Sequence, residues 1–260
     1  MSKLLTTIRD LQRRKAREKR GLALAEGVRL VEEALAAGVA VEGAAVAPGL
    51  EGTERGRALK ASLEGRGVPL EAMDDRALAE LADTEHPQGV IAVVEPRAWT
   101  FKDLGRDAAP GTAATVLVLD AVQDPGNVGA ILRSAHALGA AAVIALPGTA
   151  DLLNPKVLRG SMGAAFRLPN LHATDAEFAE WAAAAKVTRW ATAMDGADLR
   201  AARRPSGPLA VILGNEGAGV RADLASTAQA RVAIPIHAGA ESLNVAAAAA
   251  IFLWECSRAG

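Results

Sequence analysis

Apolar and polar positions alternate along the chain in a way that predicts helices and strands of ordinary length. Leu4, Leu5, Ile8 and Leu11 recur at helical spacing within residues 4–20, and basic residues occupy the rest of the wheel. After a break at Gly21, residues 27–37 predict an amphipathic helix stopped at Gly38, where a glycine commonly ends a helix. Residues 39–47 read as a strand ending at Pro48-Gly49. A helix over 53–63, a short strand over 68–70, a helix over 74–82 and a strand over 89–94 follow. Alternation on this scale predicts a small α/β domain over residues 1–96.

The pattern lapses over 97–113, where Gly105, Pro110 and Gly111 accompany mixed charge, and this stretch reads as a linker. It resumes at Thr115. Residues 116–119 are continuously apolar, as in a parallel strand covered on both faces. Asn127 is a candidate N-cap for a helix whose stripe is Val128, Ile131, Leu132, Ala135 and Leu138. Strands over 141–146, 188–194, 209–213 and 230–236 alternate with helices over 154–160, 175–185 and 242–256. Residues 114–260 are therefore expected to form a second α/β domain, a mostly parallel sheet with helices on both faces.

Composition excludes several classes. The chain has 260 residues, half of them apolar and 23% charged, which suits a packed core and argues against wholesale disorder. The apolar run over 245–254 is ten residues, half of what a membrane span needs (roughly 20). No apolar segment follows the basic N-terminus as a signal peptide would require. One cysteine and four histidines leave no internal disulfide and no expected metal site, so a soluble cytoplasmic protein is expected. Cys256 reads as a buried small hydrophobe and His136 as a packed or surface side chain.

Charge is uneven along the chain. Residues 1–20 hold eight basic and two acidic side chains, a net of +6, whereas residues 21–97 carry −7. The basic arm, with Arg13, Arg14, Lys15, Arg17, Lys19 and Arg20, is a candidate phosphate-contacting element, and a solvated helix face is its ordinary alternative. With eight aromatic residues in all, recognition of bases by stacking is not expected.

The common nucleotide motifs are missing. There is no P-loop, and the glycines of Gly214, Gly217 and Gly219 fall at offsets 0, 3 and 5 where a dinucleotide fingerprint needs 0, 2 and 5. That spacing removes a nucleotide-dependent oxidoreductase from consideration. What remains is N-x-G-A-I-x-R-S over 127–134, L-G-N-E-G over 213–217, and I-P-I followed by S-L-N-V-A-x-A over 234–248.

These three stretches resemble motifs 1, 2 and 3 of the SpoU (TrmH-type) RNA 2′-O-ribose methyltransferases, in the expected order. The pieces Ala25-Glu26-Gly27 and Pro87-Gln88-Gly89-Val90 are similar to the substrate-binding domain that precedes many such enzymes. The resemblance implies an α/β fold whose C-terminal domain is trefoil-knotted, behind a smaller ribosomal-protein-like domain. It also implies S-adenosylmethionine as cofactor, with Leu213, Gly214, Asn215, Gly217, Ile234, Ile236 and Leu243 around it. Arg133, Asn127, Glu216, Ser242 and Asn244 become the catalytic candidates, with Glu216 expected to orient Arg133. A homodimer with active sites built from both chains is implied, acting on RNA, ribosomal first and transfer RNA second. Because guanidinium stays protonated, Arg133 is open to two roles: a base made possible by its surroundings, or a fixed charge that stabilises an alkoxide. The rival to an enzyme is a non-catalytic RNA-docking module on the same fold.

Overall fold

A computed structural model describes residues 2–104 and 114–258. The chain divides into two compact units, one formed by residues up to Ala98 together with Leu153–Arg167, the other by Trp99–Leu152 and Leu168 onward.

In the first unit the elements are α1 (Lys3–Leu11), α2 (Arg14–Arg20), β1 (Ala23–Glu26), α3 (Val28–Ala36), β2 (Ala40–Val46), α4 (Glu54–Gly65), β3 (Leu70–Ala72), α5 (Asp75–Ala79) and β4 (Val90–Glu95). The strands form a mixed sheet in the order β1-β4-β2-β3, antiparallel except for β2 with β3. β1 escaped the sequence reading because its four residues are all buried and so show no alternation. The two family-like pieces of this unit meet: Gln88 Oε1 accepts from Val28 N–H at 3.0 Å and so caps the start of α3.

The basic segment is not a detachable arm. It folds as two helices, and Ile8 and Leu11 of α1 are fully buried with Leu24, Leu78, Ile91 and Val93. Arg17 is only 3% exposed, and its guanidinium donates to the carbonyls of Leu11 and Gln12 at 2.7 and 2.8 Å, closing the C-terminal end of α1. Arg17 is thereby withdrawn from phosphate contact. Arg13 and Arg20 pair with Asp10, and Arg14 with Glu18, while Lys15 and Lys19 reach solvent.

The segment Leu153–Arg167, including α7 (Pro155–Ser161), groups with the first unit although the sequence placed it in the C-terminal domain. Ion pairs account for this. Arg159 pairs with Glu26, which is 5% exposed, and with Asp83, while Arg167 pairs with Glu33. A buried carboxylate needs a nearby cation, and among the described residues Arg159, distant in sequence, reaches Glu26.

The second unit holds β5 (Thr115–Leu119), α6 (Pro125–Ala137), β6 (Ala142–Ala145), β7 (Asn170–His172), α8 (Asp175–Ala184), β8 (Thr188–Asp198), β9 (Leu209–Leu213), α9 (Ala222–Ala225), β10 (Ala230–Ala233) and α10 (Val245–Arg258). Six strands run parallel in the order β10-β8-β9-β5-β6-β7. Val116, Val118, Ala142, Ile144, Ala210 and Ile212 face one layer with Phe178 and Ala182 of α8. The intervening Leu117, Leu119, Val143, Val211 and Leu213 are also buried, on the face where α6 and α10 pack. This double coverage explains the continuous apolar runs.

The first part of the expected linker is ordered. Thr100 and Asp103 form a capping box, and Phe101 stacks on Trp181 at 5.6 Å between ring centroids. Residues 105–113 lie outside the described residues. Helix α6 starts earlier than expected, with Asp124 rather than Asn127 as N-cap and Pro125 in the first position. Helix α10 starts later than expected, at Val245 instead of residue 242.

Candidate functional site

Beyond the carboxyl ends of β9 and β10 lies a cleft of about 480 Å³, within the range that small-molecule ligands occupy. Three stretches separated in sequence wall it: the 213–219 turn, the 234–243 segment and the outer part of β8. All seven cofactor candidates line it, namely Leu213, Gly214, Asn215, Gly217, Ile234, Ile236 and Leu243. Glu216 and Ser242 line it as well.

The turn is built by glycine and asparagine. A side chain on Gly214 would put its Cβ 2.0 Å from the Gly219 carbonyl carbon and 2.1 Å from Val220 N, so only glycine lets the chain fold back there. Asn215 Oδ1 accepts from the N–H groups of Gly217 and Ala218 at 3.0 and 3.1 Å. Its Nδ2 donates to the Ala121 carbonyl at 2.9 Å, and Ala121 sits at φ +56°, a conformation uncommon for a residue with a side chain. Asn215 thus ties two loops together.

The loop at α6 is held from the same wall. The Asn127 side-chain amide donates to Glu216 Oε1 at 2.9 Å, and its Oδ1 accepts from Asn244 Nδ2 at 2.9 Å. Asn244 Oδ1 in turn accepts from Ala246 and Ala247 N–H, the bonding of an N-cap on α10. The Gln123 and Asp124 N–H groups point at the Glu216 carboxylate at 3.4 Å each. Partial burial by itself would raise the Glu216 pKa. The Asn127 amide, with the backbone N–H groups of Glu216, Gln123 and Asp124, outweighs it and holds the carboxyl below its ordinary value. Within this chain its bonds go to the loop and none to Arg133.

Arg133 stands on the exposed face of α6 and makes no hydrogen bond or ion pair with the described residues. It does not line the cleft, and neither do Asn127 and Asn244. Ser242 lines the cleft, and its hydroxyl makes no bond among the described residues. Burial pushes the Cys256 thiol up to about 11, which leaves it inert as a nucleophile at neutral pH. Among the described residues no cluster of His, Cys, Asp and Glu could hold a metal ion, and no helix is long and apolar enough to cross a membrane.

Sequence reasoning missed part of the cleft. Thr192, Ala193 and Met194 line it because β8 leaves its ladder with β10 there, the partner jumping from Ala191 to Ala197. Bulges re-aim side chains at sites in this way. Gly196 permits the return, since a Cβ there would lie 2.7 Å from Val232 N. Val232, Val245, Ala248 and Phe252 supply apolar wall. Val232 was findable, standing two residues before Ile234 on a strand, whereas nothing in the β8 sequence announces the bulge.

The residues fit S-adenosylmethionine. The backbone amides and carbonyls of Gly214, Ile234, Ile236 and Leu243 carry no hydrogen bond among the described residues, yet they border a cleft partly walled by apolar side chains. Free backbone donors and acceptors between apolar walls suit the edge of an adenine ring.

A parallel α/β unit with a ligand cleft outside its strand ends belongs to the class of small-molecule-binding α/β domains. Residues 114–254 match the SpoU rRNA Methylase family, and residues 4–92 match the MRM3-like substrate binding domain. The chain is 34% identical over 246 residues to the 23S rRNA (guanosine(2553)-2′-O)-methyltransferase RlmP of Bacillus subtilis (strain 168), covering 95% of this chain and 92% of that protein. It is 32% identical over 199 residues to the 23S rRNA (guanosine-2′-O-)-methyltransferase RlmB of Escherichia coli (strain K12), covering 76% and 82%. Among solved structures, the AdoMet-bound rRNA methyltransferase of Sinorhizobium meliloti superposes with a TM-score of 0.82 at 32% identity, covering 98% of this chain and 94% of that one. The SpoU methyltransferase AviRb of Streptomyces viridochromogenes, in complex with AdoMet, gives 0.87 at 29% identity, covering 99% and 97%. The chain belongs to the SpoU rRNA methylase family.

Proposed function

We propose that this protein transfers a methyl group from S-adenosylmethionine to a ribose 2′-hydroxyl of ribosomal RNA. The observation that carries the reading is the meeting of all seven cofactor candidates in one cleft, beside a loop clamped by Asn127, Glu216 and Asn244. The cofactor supplies an electrophilic methyl group on sulfonium. The unbonded backbone groups of Gly214, Ile234 and Leu243 hold its adenosine end, and the apolar walls keep water away from it. Arg133, without a partner among the described residues, would hold the acceptor hydroxyl and stabilise the negative charge that develops on its oxygen as the proton passes to solvent water. A guanosine of 23S rRNA is the first target to test, because the relatives RlmP and RlmB act on such nucleotides.

The working form in this reading is a homodimer. Ile251 and Trp254 are 40% and 56% exposed, three residues apart on α10, a pairing of large apolar side chains that a partner chain would cover. The exposed face of α6 that carries Arg133 belongs to the same layer, since α6 and α10 pack together. The knotted C-terminal path is part of the same reading. It is supported by β10 lying at the sheet edge while α10 returns to pack on β5, β9 and α6. A ribosomal RNA substrate makes the cytoplasm the compartment.

The test is methyl transfer from labelled S-adenosylmethionine to ribosomal RNA by the wild type and by Arg133→Ala, with alkaline hydrolysis of the product. Label in an alkali-resistant dinucleotide, lost in the variant, is the expected result. Absence of both transfer and cofactor binding would favour the docking module.

A further inference from the structure

One side chain ties the far end of the cleft turn to the strand that leads into α6. Asp120 follows β5 directly and is fully buried. The Arg221 backbone N–H donates to Asp120 Oδ2 at 2.7 Å, and its Nε donates to Oδ1 at 2.6 Å. The two terminal nitrogens of the same guanidinium donate to the Asp175 carboxylate at 3.0 and 2.7 Å, at the first residue of α8. A buried carboxylate requires a paired cation, and a planar guanidinium holds two carboxylates in a fixed geometry that the point charge of an ammonium does not impose.

Both neighbourhoods of this bridge are functional. Asp120 precedes Ala121, whose carbonyl accepts from Asn215, and lies four residues before Asp124, the N-cap of the helix that carries Asn127 and Arg133. Arg221 lies two residues after Gly219, against which Gly214 is packed too tightly for a side chain. The guanidinium therefore sets the spacing between the cleft wall and the loop that aims α6.

We propose that Arg221 is a positioning residue for methyl transfer, acting through Asp120 and Asp175 to hold the cofactor wall in register with the Arg133 helix. The proposal rests on the reading that the cleft binds S-adenosylmethionine. Arg221 touches neither reactant; its effect passes through the two loops it joins.

The experiment compares the full-length wild type with Arg221→Lys and Asp175→Asn. It measures S-adenosylmethionine affinity by calorimetry, kcat at saturating cofactor, and melting temperature. Arg221→Lys is expected to weaken cofactor affinity about ten-fold, the loss of one charge-assisted bond. It is expected to lower kcat by a further ten-fold or so even when the cleft is filled, because the acceptor helix also loses register. Asp175→Asn, which breaks a half-exposed limb and leaves Asp120 paired, should move both quantities the same way by about three-fold. A lowered melting temperature with affinity and kcat at wild-type values would make Arg221 merely structural and overturn the proposal. If Arg221→Lys does not fold, Asp175→Asn decides: shifted affinity and kcat support it, unchanged values refute it. A wild type that does not bind the cofactor overturns the underlying reading instead, and this proposal with it.

Discussion

The side-chain amide of Asn127, in the first turn of α6, donates to Glu216 Oε1 on the cleft wall at 2.9 Å, across 89 residues of sequence. That bond is strongest while Glu216 is ionised, because a carboxylate accepts better than a neutral acid. Its depressed pKa means the stabilisation is fully present above the ordinary glutamate value of about 4.3 and is lost as pH falls through the folded value below it. Wild-type cofactor affinity should therefore hold at neutral pH and decline in acid. Glu216→Gln should be weaker by roughly 1 kcal/mol at neutral pH and show a flatter acid limb, measured by calorimetry across pH. Parallel profiles for the two proteins would exclude Glu216 as the titrating group.

Arg133→Ala should separate chemistry from stability. The side chain is exposed and has no partner among the described residues, so melting should stay within about 0.5 kcal/mol of wild type and cofactor affinity should not change. Methyl transfer should fall by about 10²–10³-fold, as when a donor to a developing oxyanion is removed. Single-turnover assays at saturating cofactor would measure it.

Gly214→Ala tests the cradle. A Cβ 2.0 Å from the Gly219 carbonyl carbon forces the turn open, at about 1–3 kcal/mol. Cofactor binding should drop below detection by calorimetry while the far-ultraviolet spectrum remains that of a folded α/β protein. Wild-type affinity in this variant would show that the ligand does not lie on the turn.

The basic helices should divide into two groups. Lys15→Ala and Lys19→Ala should leave melting unchanged and each reduce the salt dependence of RNA binding by roughly one released counterion. Arg17→Ala should instead destabilise by about 1–3 kcal/mol, because the Leu11 and Gln12 carbonyls lose their partner in a buried place. Filter binding at several salt concentrations, paired with thermal melts, distinguishes the groups.

Trp254→Glu puts a charge on the exposed apolar face of α10. Sedimentation should show the wild type as a dimer and the variant as a monomer with reduced methyl transfer. A monomeric wild type would remove the dimer from the proposed function.

Much of this was legible in the chain because it depends on short-range pattern. The buried strands β5 and β9 announced themselves as apolar runs, and α3 by its stripe and the glycine after it. The cofactor candidates were legible as motifs because each lies within a few residues of a strand end or helix start. Other features were hidden for a common reason. β1 was hidden because burial on both faces erases periodicity. Arg17 reads as one more surface cation until its partners are known.

The sequence by itself determined the α/β alternation, the ten-residue limit on the last apolar run, the uneven charge and the three motifs, because propensity, periodicity and spacing are local properties. Tertiary structure alone decided that Glu216 clamps Asn127, that Arg17 is a cap and not a phosphate ligand, and that Leu153–Arg167 joins the first unit. It also decided that Asp120, Asp175 and Arg221 converge. Each of these is a choice of partner for a polar group among many chemically equivalent ones. Burial makes that choice compulsory, since a carboxylate or carbonyl leaving water must find a donor, and only the folded chain decides which donor is near.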